Sequence, residues 1–330
     1  MNTATATTQP SRTQQAKNSD LLIRFAEVWH TDEATQNLVP INAIVLNKNS
    51  AQATASEYCH SDQMLKMVRA ACETKTVAMI RESDCSLASL TQHVGREITT
   101  VVCVPIVQKR EVQGAILLGL SDVHGAVEIW GRDDRDELAI IDGHYSGLPS
   151  FEYITRYTRF PKGAGMPGGV WKSGLARVAR KLDKSSAFIR SFGGDPANLS
   201  AAAALPIADS LGFPKSILLL LEAASQPLSR NTVLLSGSVS SNSAETSDDD
   251  QPPRFQIETI QPFDQSAQTR SNEKDFADTK QIEQWDRDIH SVLTINAPLL
   301  ISDSHSNENP RLIWPIYSEQ NLASVLIMTF

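Results

Sequence analysis

The sequence contains few of the residues that mark a secreted protein. Its four cysteines all lie in the first third of the chain, and none forms a Cys-x-x-Cys pair. Secreted proteins more often spread paired cysteines through their domains. We therefore expect free thiols and a cytoplasmic location. The four are Cys59, Cys72, Cys85 and Cys103.

Long apolar runs are also missing. The longest, Ala201–Leu205 and Ile217–Leu221, are no longer than a strand, whereas a membrane-spanning helix needs about 20 apolar residues. The Thr/Gln-rich segment 1–18 has no apolar core of the kind found in signal peptides. We predict that it is a disordered tail and that the protein has no membrane partner.

Basic charge is scarce as well. The chain has 30 Lys and Arg residues against 38 Asp and Glu residues, a net charge of -8. An acidic chain without a basic cluster is a poor ligand for nucleic acid, so we expect no nucleic-acid partner. The seven histidines show no metal-ligand spacing, and the adjacent pair Cys59 and His60 is a weak signal alone. We predict neither a metal nor a cofactor.

An internal repeat is the clearest pattern that is present. Three times, an apolar stretch ends in Pro-Ile, a polar turn follows, and a second apolar run begins. The prolines are Pro105, Pro206 and Pro315, at nearly equal spacing. Each segment predicts a β-hairpin of buried strands, with the proline at an edge or a bulge because it cannot donate to the ladder. Three copies indicate a repeated unit.

Further elements recur upstream of each hairpin. Opening strands are predicted at 43–46, 127–130 and 255–260. Apolar residues at helical spacing follow in the first and third copies, around Met64–Cys72 and Ile282–Leu293. Each unit thus runs strand, strand, variable middle, helix, strand, hairpin. The predicted divisions are a tail at 1–18, units at 19–123, 124–236 and 255–330, and a flexible Ser/Asp-rich linker at 237–254.

The middle unit resembles GAF domains, which are small-molecule sensor modules. Residues 160–171 are similar to the "F..G.G.PG..W" segment of many bacterial members, and Ala126–Trp130 looks like their opening strand. The resemblance implies an α+β fold of repeated GAF-like domains, each an antiparallel sheet flanked by helices. It also implies a non-catalytic sensor or a regulatory, dimerising module in signalling, acting through a protein partner or a homodimer. The Asn-Lys-x-Phe-Asp-Glu motif of cyclic-nucleotide GAF domains is missing.

The resemblance also suggests where a ligand would bind. Phe160, Trp171 and Phe188 would form an aromatic wall, with Arg190 as a cation, over the middle sheet. Such a wall suits a planar or anionic ligand of unknown identity. The alternative is that Trp171 belongs to the core and that Arg190 pairs with a carboxylate, such as that of Asp183 or Glu152.

The remaining candidates predict structural roles. We expect a tight loop at Gly163–Gly169 and a solvated turn at the acidic cluster 133–137. His144 is expected in a loop, and no Gly-x-Ser-x-Gly elbow is present, so we predict that the protein is not an enzyme. Two alternatives stay open. The protein could be an interaction protein with filled pockets, or a thiol-based redox protein using Cys59, Cys72 or Cys85 within disulfide reach.

Overall fold

The computed structural model describes a large part of the chain. It covers residues 21–32, 34–35, 37–46, 51–55, 60–94, 97–182, 199–209, 211–223, 226–240, 254–262, 279–301, 309–318 and 321–330. The predicted tail therefore lies outside the described residues, as do Cys59, Phe188 and Arg190.

The first sheet has six strands in the order β3-β2-β1-β6-β5-β4. Two helices pack on one of its faces. The elements are β1 (Ile23–Thr31), β2 (Leu38–Leu46), β3 (Ala51–Ala55), α1 (Asp62–Thr74), β4 (Ala78–Arg81), α2 (Ala88–Val94), β5 (Thr100–Gln108) and β6 (Glu111–Leu120).

The second sheet also has six strands, in the order β10-β11-β12-β7-β8-β9. It comprises β7 (Gly125–Arg132), β8 (Leu138–Ser146), α3 (Pro149–Tyr157), β9 (Arg159–Phe160), α4 (Gly165–Ser173), β10 (Arg177–Arg180), β11 (Leu199–Ala208) and β12 (Pro214–Ala223).

The third sheet has five strands, in the order β14-β13-β17-β16-β15. One helix accompanies it. The elements are β13 (Asn231–Ser240), β14 (Arg254–Pro262), α5 (Thr279–Ile295), β15 (Leu299–Ile301), β16 (Arg311–Ser318) and β17 (Asn321–Thr329).

The three sheets share one strand order. When the outer strands β3 and β9 are left out, the five remaining strands of each sheet can be numbered one to five along the chain. Across each sheet their order is then second, first, fifth, fourth, third, and neighbouring strands are antiparallel. The three repeat prolines lie on the fourth strand, opposite Ala115, Ile217 and Val325 of the fifth. The register of each hairpin shifts directly after the Pro-Ile pair. This irregularity agrees with the bulge expected beside a residue that cannot donate.

The opening strands differ from the prediction in two places. Residues 43–46 lie in β2 and residues 255–260 in β14, so both are second strands; the first strands are β1 and β13. The predicted boundary at residue 236 falls inside β13, and the predicted linker 237–254 begins within it. The Ser- and Gly-rich end of β13 stays extended because β14 supplies its ladder partners, with Gly237 opposite Ile257.

A shared core holds the three sheets together. Strands β5, β11 and β16 contact one another. Alternate side chains of these strands, such as Val104, Leu205 and Trp314, meet in one central apolar cluster. Because side chains alternate across a strand, their neighbours Cys103 and Ala204 point to the opposite faces, where the first two sheets pack against α1–α2 and α3–α4.

The sheets follow one another around this core as a closed ring. In the numbering used above for the five common strands, the third strand of each sheet (β4, β10 or β15) lies beside the second strand of the next sheet (β8, β14 or β2). Arg81 on β4 forms an ion pair with Asp142 on β8, and the Val178 N–H on β10 donates to Gln261 Oε1 on β14. Strand β15 in turn contacts β2.

The fold is thus mainly β, with modest helical flanking compared with the α+β expectation. In the part of the chain that the structure describes, no helix has the length and apolar character needed to cross a membrane.

Candidate functional site: a cleft at the end of the middle sheet

The structure separates the two described residues of the predicted pocket. Phe160 is buried and meets Trp130 edge to face, with 4.8 Å between ring centroids. Trp171 is also largely buried in the same cluster, yet its ring reaches a cleft at the end of the sheet. Phe188 and Arg190 lie outside the described residues. Trp171 was predicted either to belong to the core or to line a pocket. In the structure one part of its side chain packs in the core and another part faces the cleft.

The glycine-rich segment beside Trp171 is largely helical. Only Gly163 and Gly165 have the positive φ angles expected of a tight loop, at 89° and 59°. Residues 165–173 form α4, and a Cβ on Gly168 would stand 2.4 Å from the Pro161 carbonyl oxygen. The glycines thus let the helix approach the preceding turn closely, and this close packing places Trp171 at the cleft.

The cleft has a volume of about 920 Å³ and lies where the middle sheet meets the connection before β4 and the end of β16. The connection from α1 to β4 contributes one wall, and Ser318 of β16 another. The lining residues are Thr76, Val77, Ile129, Gly131, Arg132, Asp133, Ile141, Lys162, Trp171, Lys172, Ser173, Gly174, Asp209, Gly212, Phe213, Pro214, Lys215, Ser216 and Ser318.

Cations outnumber anions in this lining. Arg132 and Lys162 both lie near the Trp171 ring, at 5.8 and 5.7 Å from its centroid, which is within the range of a cation–π interaction. Lys172 and Lys215 add two more charges. Among the described residues, the three lysines have no carboxylate within ion-pair distance, while Arg132 pairs with Asp136.

The two carboxylates of the cleft are already engaged. Asp133 Oδ1 accepts the backbone N–H groups of Arg135 and Glu137, at 2.9 and 3.1 Å. Hydrogen bonds from these two amides, the one from Glu137 foremost, lower the pKa of Asp133. This geometry agrees with the solvated turn predicted for the acidic cluster. Asp209 likewise accepts the N–H groups of Leu211 and Phe213. Asp133 Oδ2 also pairs with Arg159, and neither carboxylate lies within ion-pair distance of the three lysines.

Ser216 is the most unusual polar residue of the cleft. Only 2% of it is exposed, and its hydroxyl finds no hydrogen-bond partner in the described part of the chain. A buried hydroxyl without a partner costs about 1–3 kcal/mol. Ser216 lies opposite Gly131 on β7, so no larger neighbouring side chain covers it from that strand. Among the described residues of the lining, it is the polar side chain that is both buried and without a hydrogen-bond partner.

Two buried carboxylates were not among the residues selected from the sequence. Glu27 and Glu128 are fully buried, and each accepts the indole N–H of the tryptophan two residues on, at 2.6 and 3.0 Å. The signal was present as a repeated Glu-x-Trp, in Glu27-Val28-Trp29 and Glu128-Ile129-Trp130. Glu27 also binds His60 Nε2 at 2.9 Å. His60 therefore has a buried carboxylate as its partner.

The three described thiols lie in the interior of the protein. Cys72, Cys85 and Cys103 are free and buried. A hydrogen bond with Cys72, together with burial, raises the pKa of Cys103 well above its usual value. Burial raises the pKa of Cys85 as well. The thiolate is the reactive form, so these environments make Cys85 and Cys103 poor nucleophiles.

His144 lies on strand β8 and not in the expected loop. It is buried, its Nδ1 lies 3.0 Å from Thr100 Oγ1 on β5, and its Nε2 has no partner among the described residues. Burial lowers the pKa of His144 to about 4. The ring lines a smaller cleft of about 480 Å³ between the first two sheets, where Arg81 and Glu82 also lie.

Sequence comparisons give no family for the chain. No protein-family model matches it, and no curated protein matches it. Among solved structures, two of the NreA protein from Staphylococcus aureus, mutated in its nitrate binding site, are similar to part of it. One is 16% identical and covers 32% of this chain and 78% of its own; the other is 13% identical and covers 38% and 83%. Both have a TM-score of 0.26, too low to carry an argument here.

Proposed function

We propose that this protein is a non-catalytic sensor or regulatory module that binds a small molecule in the cleft beside Trp171. The observation that carries the proposal is the cleft itself. Its volume of about 920 Å³ falls within the usual range of ligand pockets, about 300–1,000 Å³. It also contains a buried hydroxyl, that of Ser216, which lacks a partner among the described residues.

The division into three GAF-like units belongs to this proposal. The equal strand order of the three sheets and the equivalent positions of Pro105, Pro206 and Pro315 support it. The second boundary is placed ahead of β13, because that strand pairs with β17.

The non-catalytic part of the proposal is supported by the state of the cleft carboxylates. A general base needs a free oxygen within reach of the proton it removes. Both oxygens of Asp133 are engaged, Oδ1 by its own turn and Oδ2 by Arg159, and Oδ1 of Asp209 holds the turn that contains it. A bound molecule would touch the middle sheet, the connection before β4 and Ser318 of β16. The protein would then signal by a change in the packing of these parts that a partner or a second copy recognises.

The first experiment is native mass spectrometry of the full chain, followed by a thermal-shift screen of small metabolites. We expect an added mass or a ligand-dependent rise in Tm. The variant Phe213→Ser should weaken the effect, since Phe213 lines the cleft. Leu211→Ser is the matched control, because Leu211 is similarly exposed in the same turn but does not line the cleft. Equal binding by both variants would place the ligand elsewhere.

An interaction protein with filled pockets is the second candidate. The helix-facing side of the middle sheet favours it, because Trp130, Phe160, Met166 and Val170 pack there as one buried cluster. Two tyrosines on α3, Tyr153 and Tyr157, are 64% and 72% exposed and offer a contact surface. This function predicts a dimer or a partner complex whose assembly does not change with any small molecule, measured by native mass spectrometry.

A further inference from the structure

We propose that the ligand of the Trp171 cleft is an organic anion, with its acidic group held by the lysines and Ser216 and its apolar part held by Ile141 and Phe213. This inference rests on the proposed function and adds the chemical class of the ligand. Three observations carry it: the uneven charge of the lining, the buried hydroxyl, and the exposed apolar side chains beside them.

The charge of the cleft runs against that of the whole protein. The chain carries a net charge of -8, so a neighbourhood rich in uncompensated cations is unusual in it. Lys162, Lys172 and Lys215 meet in one concave surface and have no carboxylate partner among the residues described. Clefts lined by one sign of charge focus the field and concentrate ions of opposite sign. The lining holds four cations against the two carboxylates of Asp133 and Asp209, and this excess of positive charge favours an anionic ligand.

Ser216 distinguishes the cleft from an ordinary basic surface. Its hydroxyl is buried and lacks a partner within the described chain, although the residue lines the cleft. Hydrogen bonds to an ionised acceptor are stronger than those between neutral groups. A carboxylate or phosphate oxygen would satisfy this donor and repay its desolvation, whereas an apolar ligand would leave it unpaired.

The apolar walls exclude a bare inorganic ion as the best ligand. Ile141 and Phe213 are 63% and 58% exposed, and both line the cleft. Exposed large apolar side chains beside convergent polar groups are typical of small-molecule sites. The combination suits a molecule with an apolar body and an acidic group.

The position of the cleft links binding to the packing of the sheets. The Lys215 ammonium on β12 donates to the Thr74 carbonyl oxygen at the end of α1, at 2.6 Å. Ser318 of the third sheet lies at the opposite wall, 2.9 Å from the position of a Cβ on Gly174. An anion that binds Lys215 would therefore act on the contact between the first two sheets.

Calorimetry with two matched probe pairs tests the ligand class on the full chain. The pairs are phenyl phosphate with phenol, and 3-phenylpropionate with 3-phenylpropanol; inorganic phosphate is the fifth probe. We expect each organic anion to bind at least about tenfold more tightly than its neutral partner, and more tightly than phosphate alone. Raising the salt concentration should weaken the anions only.

Variants then assign the binding to this cleft. The double variant Lys162→Met with Lys172→Met should weaken the organic anions about tenfold, as expected for the loss of two partly screened charges. Lys66→Met is the matched control, since Lys66 is exposed on α1 and away from the cleft. Ser216→Ala should weaken the anions and leave the neutral probes unchanged.

The outcomes separate the two proposals. Equal affinity for the charged and neutral probes, or an unchanged affinity in the double variant, would overturn the anion inference while leaving small-molecule binding intact. If no probe and no metabolite binds, and native mass spectrometry shows only the polypeptide, the proposed function fails with it.

Discussion

The buried carboxylate of Glu128 on β7 links this strand to helix α3. Its two oxygens accept the Trp130 indole N–H at 3.0 Å and the Thr155 hydroxyl on α3 at 3.1 Å. Glu128→Leu would leave both donors without this acceptor inside the core. We expect a loss of about 2–4 kcal/mol in the free energy of unfolding, measured by urea titration. Glu128→Gln keeps one acceptor oxygen for the Trp130 indole, and its amide N–H can donate to the Thr155 hydroxyl, so it should lose less stability. An equal loss would show that glutamine cannot replace the carboxylate at this position.

Ser216 should behave in the opposite way. Replacing an unpaired buried hydroxyl by a methyl group removes a desolvation cost, so Ser216→Ala should raise the free energy of unfolding of the free protein by about 1 kcal/mol. Thermal denaturation without ligand measures it. A decrease would mean that a bound water already satisfies the hydroxyl.

His144 predicts a pH dependence of stability. Its pKa falls from 6.5 to about 4 on folding, so between these values the unfolded chain binds the proton first. The free energy of unfolding should therefore decrease as the pH falls from 6.5 to 4, by about 3 kcal/mol in total, with full stability above pH 6.5. Arg81 opposes protonation, whereas Asp122 and the Ser121 carbonyl favour it.

The measurement is urea unfolding of wild type and His144→Phe across this pH range. The variant should lose the His144 component of the slope. Identical slopes in the two proteins would show that His144 reaches solvent or a proton acceptor in the folded state.

The residue scale is where prediction from sequence reached least far. Trp171 could be selected because an aromatic residue after a glycine-rich run resembles a known segment. Glu27, Glu128 and Ser216 could not be selected in this way. They matter because they are buried, and burial cannot be predicted from a polar residue type.

At the scale of elements, helix ends offer a simple test. Lys75 terminates α1 in the left-handed region, at φ 53°, where its N–H is bonded to the last turn. Glycine adopts this conformation without strain. Lys75→Gly should raise the free energy of unfolding by up to about 1 kcal/mol, and Lys75→Ala should not. Lys75 Nζ also donates to the Arg110 carbonyl oxygen, and both variants lose this hydrogen bond. The two variants are therefore compared with each other, and thermal melts measure the difference.

Elements with clean periodicity were predictable. The helical spacing of Met64–Cys72 and Ile282–Leu293 corresponds to α1 and α5, and the Pro-Ile hairpins are present in all three copies. Strand β1 was missed because Arg24 and Glu27, both buried, interrupt its apolar pattern. Helix α4 was missed because its four glycine and proline residues are typical of loops, and only the contact with the preceding turn explains them.

At the scale of the whole molecule, the common core predicts cooperative unfolding. Val104 lies in the central cluster where β5, β11 and β16 meet. Val104→Ala should cost about 2 kcal/mol and shift a single transition without splitting it. Far-UV circular dichroism and tryptophan fluorescence should give the same midpoint, because each sheet carries a buried tryptophan: Trp29, Trp130 and Trp314. Two separated transitions would instead show units that unfold independently.

The sequence could predict the three Pro-Ile hairpins, but not how their sheets meet. Contacts such as Arg81 with Asp142 join segments far apart in the chain, and their residue types alone give no partner. The Trp171 cleft arises at such a meeting point, so its walls could be recognised only once all three sheets were in place.

The ring divides the protein into surfaces under different constraints. A substitution on an inward-facing side chain disturbs three sheets at once, whereas one beneath α1 or α3 disturbs a single sheet. The inner surfaces should therefore tolerate little variation, while each outer face is free to acquire chemistry of its own. Three sheets that share one strand order could thus come to serve three different tasks while the core between them stays unchanged.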